Sequence, residues 1–476
     1  MMKKIAITLL VFLISVPFYA QNVELDKLLG EQNAQMVESQ MGIYKDADKT
    51  AYLRQVGNRL VTGLENPLFE YQFHLVQDPS PNAFALPGGY LYVTTGLIPI
   101  LESEDELACI LGHEIVHSNN RHSVKQLKKS IFPKMLEIPG NLIGVISPNL
   151  GTLFNAPIET SNSLLFASYG RSAETEADEE GIQLAAKAGY NPNAMISSLA
   201  RLSKTVEVAT QQEERKSYFN DHPYTPDRIE AIQSQISELN WPEKDPISSN
   251  FIEEFEGTLF GESPSKGVVI ENTFIHPGLD FYIAFPKNWT IDNQNSNITA
   301  YNDTRQSGIY VALENPALSP EIAAKQFIEN LKSEYKKKIT GSEPYQIENK
   351  NGYLVTFEDK VKSENVYAYA LWIPLADKLF NIMGIATKQE QQLLEQTVRS
   401  LRKLSLKDKD SIMINRMHIV NAIAGETIQT LSKRADNILN LELTCVINAK
   451  KSKELLKKGE QIKIIKSYPY ISASFK

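Results

Sequence analysis

The chain has 476 residues, 42% hydrophobic and 22% charged, an ordinary composition for a soluble globular protein and enough length for about three domains. Lys and Arg total 49 against 57 Asp and Glu, a net charge of −8, and no basic stretch carries interleaved aromatics, so nucleic acid is excluded as an expected partner. Two cysteines, Cys109 and Cys445, cannot make a disulfide framework, and Cys109 lies in an apolar helical run as a small core residue.

The first residues read as a secretory signal peptide over 1–20. Lys3 and Lys4 are followed by an apolar run from Ile5 to Val16, and Pro17 ends it ahead of Ala20. Cleavage is expected after Ala20 and an exported location, periplasmic or associated with the outer envelope. Phe18 stands where a small residue is preferred, and the competing reading is an uncleaved anchor.

From Gln21 to about Pro242 the pattern is mainly helical. A strand-like interruption runs from Tyr71 to Thr95, with Pro87-Gly88-Gly89 as a turn between Ala83–Leu86 and Tyr90–Thr94. Ser103 caps a helix from Glu104 to about Asn119, and a second helix covers about Ser163 to Lys187, stopping at Gly189. Between them Ile138 to Ile158 carries no charge, but three prolines, three glycines and three asparagines break it. It reads as a lid or surface loop that touches substrate or the membrane surface, and not as a span.

The character changes after Trp241. Residues 243–266, rich in Pro, Ser and acidic side chains, are expected to be a linker. Strands dominate 267–404, an α/β accessory module. Its strands are expected at Phe281–Phe285, Gly308–Leu313, Tyr353–Phe357, Val366–Trp372 and Phe380–Ile385. A third small unit is expected at 411–468, after the charged run Lys407-Asp408-Lys409-Asp410.

The chemistry is concentrated in His113-Glu114-Ile115-Val116-His117. Four residues apart on a helix share a face, so both imidazoles can reach one metal with Glu114 beside them. From Leu107 to His117 these three are the only polar side chains. Burying them unpaired would cost roughly 2–7 kcal/mol for each uncompensated group. As satisfied core residues they would need three separate partners, whereas one zinc ion and its water meet all three. A catalytic zinc needs a third protein ligand. His122 does not fit the extended histidine pattern, which would require glycine at Asn120 and histidine at Ser123. Glu174 and Asp178, four apart on the next long helix, are better placed: one can ligate while the other accepts a ligand histidine's free N–H. Glu179 and Glu180 read as a solvated acidic face.

These pieces resemble the M48 peptidase family, the Ste24/HtpX/Oma1-like zinc peptidases, and within it the exported bacterial branch. The resemblance is carried by Gly112 to His117, Glu174 to Asp178, Asn82 to Ala85 with Pro87-Gly88-Gly89, and Asp221-His222-Pro223 followed by Arg228, and it covers roughly Leu25 to Leu239. It implies one Zn2+ held by His113, His117 and Glu174, Glu114 as catalytic base, and Asp178 behind a ligand histidine. The implied fold is multidomain α+β: a mainly helical, zincin-type (gluzincin-like) peptidase domain with a small sheet over 21–242, an α/β sandwich, and a small βααβ module that resembles LysM. His222 is a candidate catalytic residue that donates to the oxyanion, with a fourth zinc ligand or a structural turn histidine as its competing roles. Substrate is expected to pair as an added strand along Tyr90 to Thr94, meeting Asn82, Tyr90, Tyr92 and Thr94.

The expected function is zinc-dependent endoproteolysis in envelope protein quality control. The expected partners are unfolded or misassembled envelope proteins as substrates, and cell-wall glycan through the C-terminal module. Two rivals stand beside it: a chaperone-like assembly factor using the peptidase fold for binding, and a wall-binding protein with a vestigial metal site.

Overall fold

The computed structural model describes residues 23–130, 169–210, 222, 226–239, 241, 250–294, 297–347, 349–361 and 364–471. The expected signal peptide and the uncharged segment Ile138–Ile158 lie outside these residues. Among the described residues no helix is long and apolar enough to cross a membrane. They form two compact units, one drawn from residues up to Met135, Ser161–Glu262 and Ile414–Tyr468, the other centred on Ser263–Met413.

The first unit opens with helices α1 (23–40) and α2 (Ala47–Val61). Asp46 starts α2 by accepting from the Lys49 backbone N–H, the usual way an Asp satisfies an orphan donor. Strands β1 (Gln72–Val76), β2 (Ala83–Leu86) and β3 (Tyr90–Thr94) form a sheet of order β1-β3-β2. The β2–β3 turn works because Gly88 and Gly89 take φ of 82° and 93°, a region closed to most side chains. Helix α3 (Glu104–Asn119) is capped by Ser103, as the sequence predicts, and is buried from Glu104 to Ser118. Helices α4 (His122–Ser130), α5 (Arg171–Lys187), α6 (Ala194–Thr210) and α7 (Pro226–Glu238) complete this part.

The expected linker is corrected over its second half. Helix α8 (Phe251–Glu254) and the residues after it send Phe251, Phe255 and Leu259 into the same core as α2 and α3. Their spacing of four is an apolar stripe that the surrounding Ser, Pro and Glu residues conceal.

The second unit has strands β4 (Val268–Ile270), β5 (Thr273–His276), β6 (Phe281–Ala284), β7 (Thr290–Gln294), β8 (Asn297–Tyr301), β9 (Gly308–Glu314), β10 (Ile339–Ile347), β11 (Lys350–Val361), β12 (Glu364–Leu375) and β13 (Lys378–Ala386). They form a seven-stranded sheet of order β10-β11-β12-β13-β9-β8-β7 and a three-stranded sheet β4-β5-β6. The five expected strands appear in β6, β9, β11, β12 and β13, with β6 ending at Ala284, one residue short of the expected Phe285. Alternation along β12 separates two cores: Tyr369, Leu371 and Ile373 enter one, Ala368, Ala370 and Trp372 the other. Helix α9 (Pro320–Ser333) covers the second, and α10 (Gln391–Ser400) the first.

Where a third separate unit was expected, the chain returns to the first. Strand β14 (Met413–Asn421), helices α11 (Ile428–Arg434) and α12 (Leu441–Ile447), and strand β15 (Gln461–Pro469) have a small core of their own around Ile428, Leu431 and Ile464. Met417, Ile447 and Ile465 instead join the core of the first unit. The entry and exit of the intervening 150-odd residues are tied together, Phe260 N–H donating to Asn415 O and Met417 N–H to Thr258 O, both at 2.9 Å. Lys463, 1% exposed, donates through Nζ to Leu101 O at 2.7 Å and pairs with Glu102, just ahead of α3.

Candidate metal centre

Helix α3 carries three carboxylates into the interior in its first turn, and each is matched. Glu104 accepts from Tyr190 Oη at 2.9 Å, Asp105 from Asn191 N–H at 2.9 Å, and Glu106 from Arg201 Nη1 at 2.6 Å. Anionic groups at this end also suit the helix dipole. The helix is thus fixed at its N-terminus before it presents His113, Glu114 and His117, all 0% exposed.

Helix α5 lies against α3 at a glycine contact. A Cβ on Gly181 would fall 2.8 Å from His113 N, and one on Gly112 would fall 2.8 Å from Gly181 O. Backbones this close bring Glu174 and Asp178 within reach of the histidines. Glu174 Oε1 lies 3.3 Å from His117 Nε2, and Asp178 Oδ1 lies 2.9 Å from His113 Nδ1. His222 enters from outside both helices. Its Nδ1 is 3.2 Å from His113 Nε2 and 3.1 Å from Glu174 Oε1, and its Nε2 faces Glu114 Oε1 at 3.3 Å.

His113, His117, Glu174 and His222 therefore form one buried donor group. Zinc with ligand bonds near 2.0–2.1 Å in a tetrahedron separates its ligand atoms by roughly 3.3 Å. The contacts here run 2.9 Å between the two α3 histidines and 3.1, 3.2 and 3.3 Å for the others just given. Three imidazoles and one carboxylate on such edges fit a zinc ion.

Charge in the site follows the same logic. Burial, and for His117 the neighbouring His113, holds both α3 histidines below their ordinary value, in the neutral form that ligates. Burial opposes the charge on Glu174, yet His222, His117 and His113 keep it ionised far below the usual carboxylate range. Burial also opposes a charge on His222, but Glu114 and Glu174 outweigh it and push the imidazole up to about 9. Two buried carboxylates, Glu114 and Glu174, thus favour positive charge at this point.

Two residues that sequence reasoning left without a role complete the site. Arg228, from α7, donates to both oxygens of Asp178 and lies 3.0 Å from Glu174 Oε2 through Nη1. Its only signal in the sequence is its place a few residues after His222. His122, set aside as a metal ligand, stands behind the site with Nδ1 2.9 Å from His117 Nδ1. Tyr169 stacks on the His117 ring at 3.9 Å between centroids.

The strand expectation is corrected. Tyr90–Thr94 is the central strand, parallel to β1 on one side and antiparallel to β2 on the other, so neither edge can take a substrate strand. Tyr92 is fully buried between Phe84 and His74, and the Thr94 hydroxyl accepts from Asn82 N–H at 2.9 Å and bonds Ser80 O at 2.7 Å. Tyr90 and Asn82 are half-buried; Tyr90 packs with Tyr92 in the small cluster beneath α1, and Asn82 leads into β2. These four residues build the sheet. Strand β2 is paired on one side only among the described residues, and it runs along α3, with Leu86 O 3.5 Å from Ser118 Oγ.

Comparison with known proteins places this site within a region of sequence similarity. Residues 47–236 match Peptidase family M48. The chain is 29% identical over 189 residues to the mitochondrial metalloendopeptidase OMA1 of Schizosaccharomyces pombe, covering 40% of this chain and 53% of that one. It is 24% identical over 222 residues to the beta-barrel assembly-enhancing protease of Yersinia pestis, covering 46% and 45%. Identity to the beta-barrel assembly-enhancing protease of Escherichia coli K12 is 23% over 215 residues, covering 44% of each. The chain thus spans about half the length of the curated relatives it matches.

Proposed function

We propose that this protein is an exported zinc-dependent endopeptidase that cleaves misfolded or unassembled proteins of the cell envelope. The observation that carries the reading is the convergence of His113, His117, Glu174 and His222 with Glu114 at their side. The match to Peptidase family M48 and the likeness to beta-barrel assembly-enhancing proteases support it.

Zinc held by His113, His117 and Glu174 would supply Lewis acidity, making water nucleophilic near neutral pH and polarising the scissile carbonyl. Glu114 takes the proton of the attacking water as its oxygen bonds to the carbonyl carbon. The same carboxyl then gives that proton to the amide nitrogen as the C–N bond breaks. Asp178 orients His113 through Nδ1, and Arg228 keeps both carboxylates ionised and in place. His222 Nδ1 stands among the ligand atoms, so we assign it the fourth position at rest, to be vacated when substrate arrives. Substrate adds as a strand to β2 and not to β3, a mode in which main-chain bonds give affinity with little sequence preference. The β-α-α-β order of Met413–Pro469 supports a LysM-like reading of that segment, with glycan contact as a secondary role.

The test is cleavage of an unfolded model protein by zinc-loaded wild type beside Glu114→Gln. Wild-type cleavage that a chelator stops, and that Glu114→Gln lacks while still holding zinc, is expected. Cleavage by Glu114→Gln at the wild-type rate would sink the assignment, and binding without cleavage by the wild type would favour an assembly factor.

A further inference from the structure

His117 is the last ligand on α3, two residues before the helix ends at Asn119. Its Nε2 faces the donor group, 2.9 Å from His113 Nε2 and 3.3 Å from Glu174 Oε1. A neutral imidazole that ligates through Nε2 carries its proton on Nδ1. For His113 the acceptor of that proton is Asp178. For His117 the atom at that position is His122 Nδ1, 2.9 Å away. His122 is itself buried, and its Nε2 faces Glu176 Oε2 at 3.4 Å. Asn120, at the end of α3, donates to Glu176 Oε1 at 2.6 Å and to Glu180 Oε2 at 3.0 Å, fixing the carboxylate from its other side.

Local backbone explains how His122 reaches this place. Arg121 takes a φ of 58°, outside the helical range, and breaks the chain direction between α3 and α4. The turn delivers two consecutive side chains to the same ring. His122 meets the edge of His117, at 77° between planes, and Ser123 Oγ lies 2.8 Å from the hydroxyl of Tyr169, which stacks on the His117 face.

We infer that His122 and Glu176 are positioning residues for the second metal-binding histidine. His117 Nδ1–H donates to His122 Nδ1, and the proton that leaves on His122 Nε2 is directed at Glu176. This fixes His117 in the tautomer whose Nε2 is free to ligate, the service that Asp178 performs for His113. The sequence pairs the two supports differently, one acidic residue for His113 and a histidine backed by an acidic residue for His117. The inference rests on the zinc reading above.

The test is a zinc titration of the full chain against a chromophoric chelator, with circular dichroism to confirm folding. His122→Ala should weaken zinc binding about 10- to 100-fold, the usual scale for removing a partner of a ligand histidine. His122→Asn, whose side-chain oxygen can stand near the lost Nδ1, should recover most of that loss. Glu176→Gln should weaken binding less than His122→Ala, and exposed Glu179→Gln not at all. If His122→Ala does not fold, His122→Asn with Glu176→Gln decides: affinities of both within twofold of Glu179→Gln overturn the role of the Glu176 relay. Zinc affinity of folded His122→Ala within twofold of wild type overturns the inference, as does equal weakening by His122→Ala and His122→Asn. Wild type and His117→Ala that both fail to hold zinc overturn the zinc reading itself and this inference with it.

Discussion

Arg228 grips Asp178 through two parallel hydrogen bonds, Nε to Oδ2 at 2.6 Å and Nη2 to Oδ1 at 2.8 Å, while the same carboxylate faces His113 Nδ1 at 2.9 Å. One planar cation thus sets, through that carboxylate, the orientation of a histidine in the candidate site. Arg228→Met should weaken zinc binding about 10- to 100-fold and destabilise the fold by roughly 3–5 kcal/mol, because a buried carboxylate loses its counter-charge. Arg228→Lys should recover little, since an ammonium cannot supply the fork. Zinc titration and denaturant unfolding of both variants check this, and wild-type affinity in Arg228→Met would refute it.

Glu174→Ala should lose most bound zinc, whereas Glu179→Ala, on the exposed side of the same helix, should keep it. Metal content after dialysis distinguishes them. Equal content in wild type and Glu174→Ala would mean that another residue completes the site.

His222→Ala should raise basal cleavage, because the fourth position opens while His113, His117 and Glu174 remain. Turnover and zinc content are measured together. A fall in turnover of about 10²–10³ with zinc retained would instead make His222 an oxyanion donor.

Lys463→Ala should destabilise the first unit by about 2–3 kcal/mol, since Leu101 O and Glu102 lose a buried partner and Glu102 remains partly hydrated. Denaturant unfolding gives the value. No change would show that the C-terminal segment does not brace the start of α3.

In the second unit burial pushes His276 down to about 4, against an ordinary value near 6.5. Its Nδ1 accepts from Leu279 N–H and its ring stacks on Phe281, both of which suit the neutral form. Between pH 6.5 and 4 the unfolded chain binds the proton and the folded chain does not, so stability is full above 6.5 and falls as the pH drops towards 4. Unfolding at pH 7 and pH 5 should show a loss in wild type, on the order of 1–3 kcal/mol, that is smaller in His276→Gln. Equal losses in both would remove His276 as the cause.

The metal helix was legible because its signals are local: a Ser103 cap, an apolar circumference, and three polar residues within one turn. Glu174 and Asp178 were legible for the same reason, since a spacing of four defines a helix face. The order of the small sheet was not. Alternation identifies Tyr90–Thr94 as a strand but says nothing of its neighbours, and only the fold places it between β1 and β2. Arg228 lies 50 residues beyond the Asp178 it grips, and no periodic pattern links them. Lys463 carries no signal of its burial: it alternates with Ile462 and Ile464 as a solvent-facing lysine would, yet it is buried and donates to Leu101 O in the first unit. The stretch 250–262 was hidden by its flanks: Pro and Ser crowd residues 242–249 and 263–265 on either side, while its own Phe251, Phe255 and Leu259 stand among four Glu.

Because Thr258–Phe260 pairs with Asn415–Met417, the first unit is interrupted in sequence and continuous in space. As the chain emerges from the ribosome, α3 and α5 are made early, and the strand bearing Lys463 comes last. At about 5–20 residues per second, the roughly 270 residues between α5 and that strand delay the final brace by roughly 14–55 s. Residues 263–413 are all made before that strand appears. A chain cut short before residue 461 therefore lacks Lys463 and its hydrogen bond to Leu101 O, just ahead of the helix that carries His113 and His117.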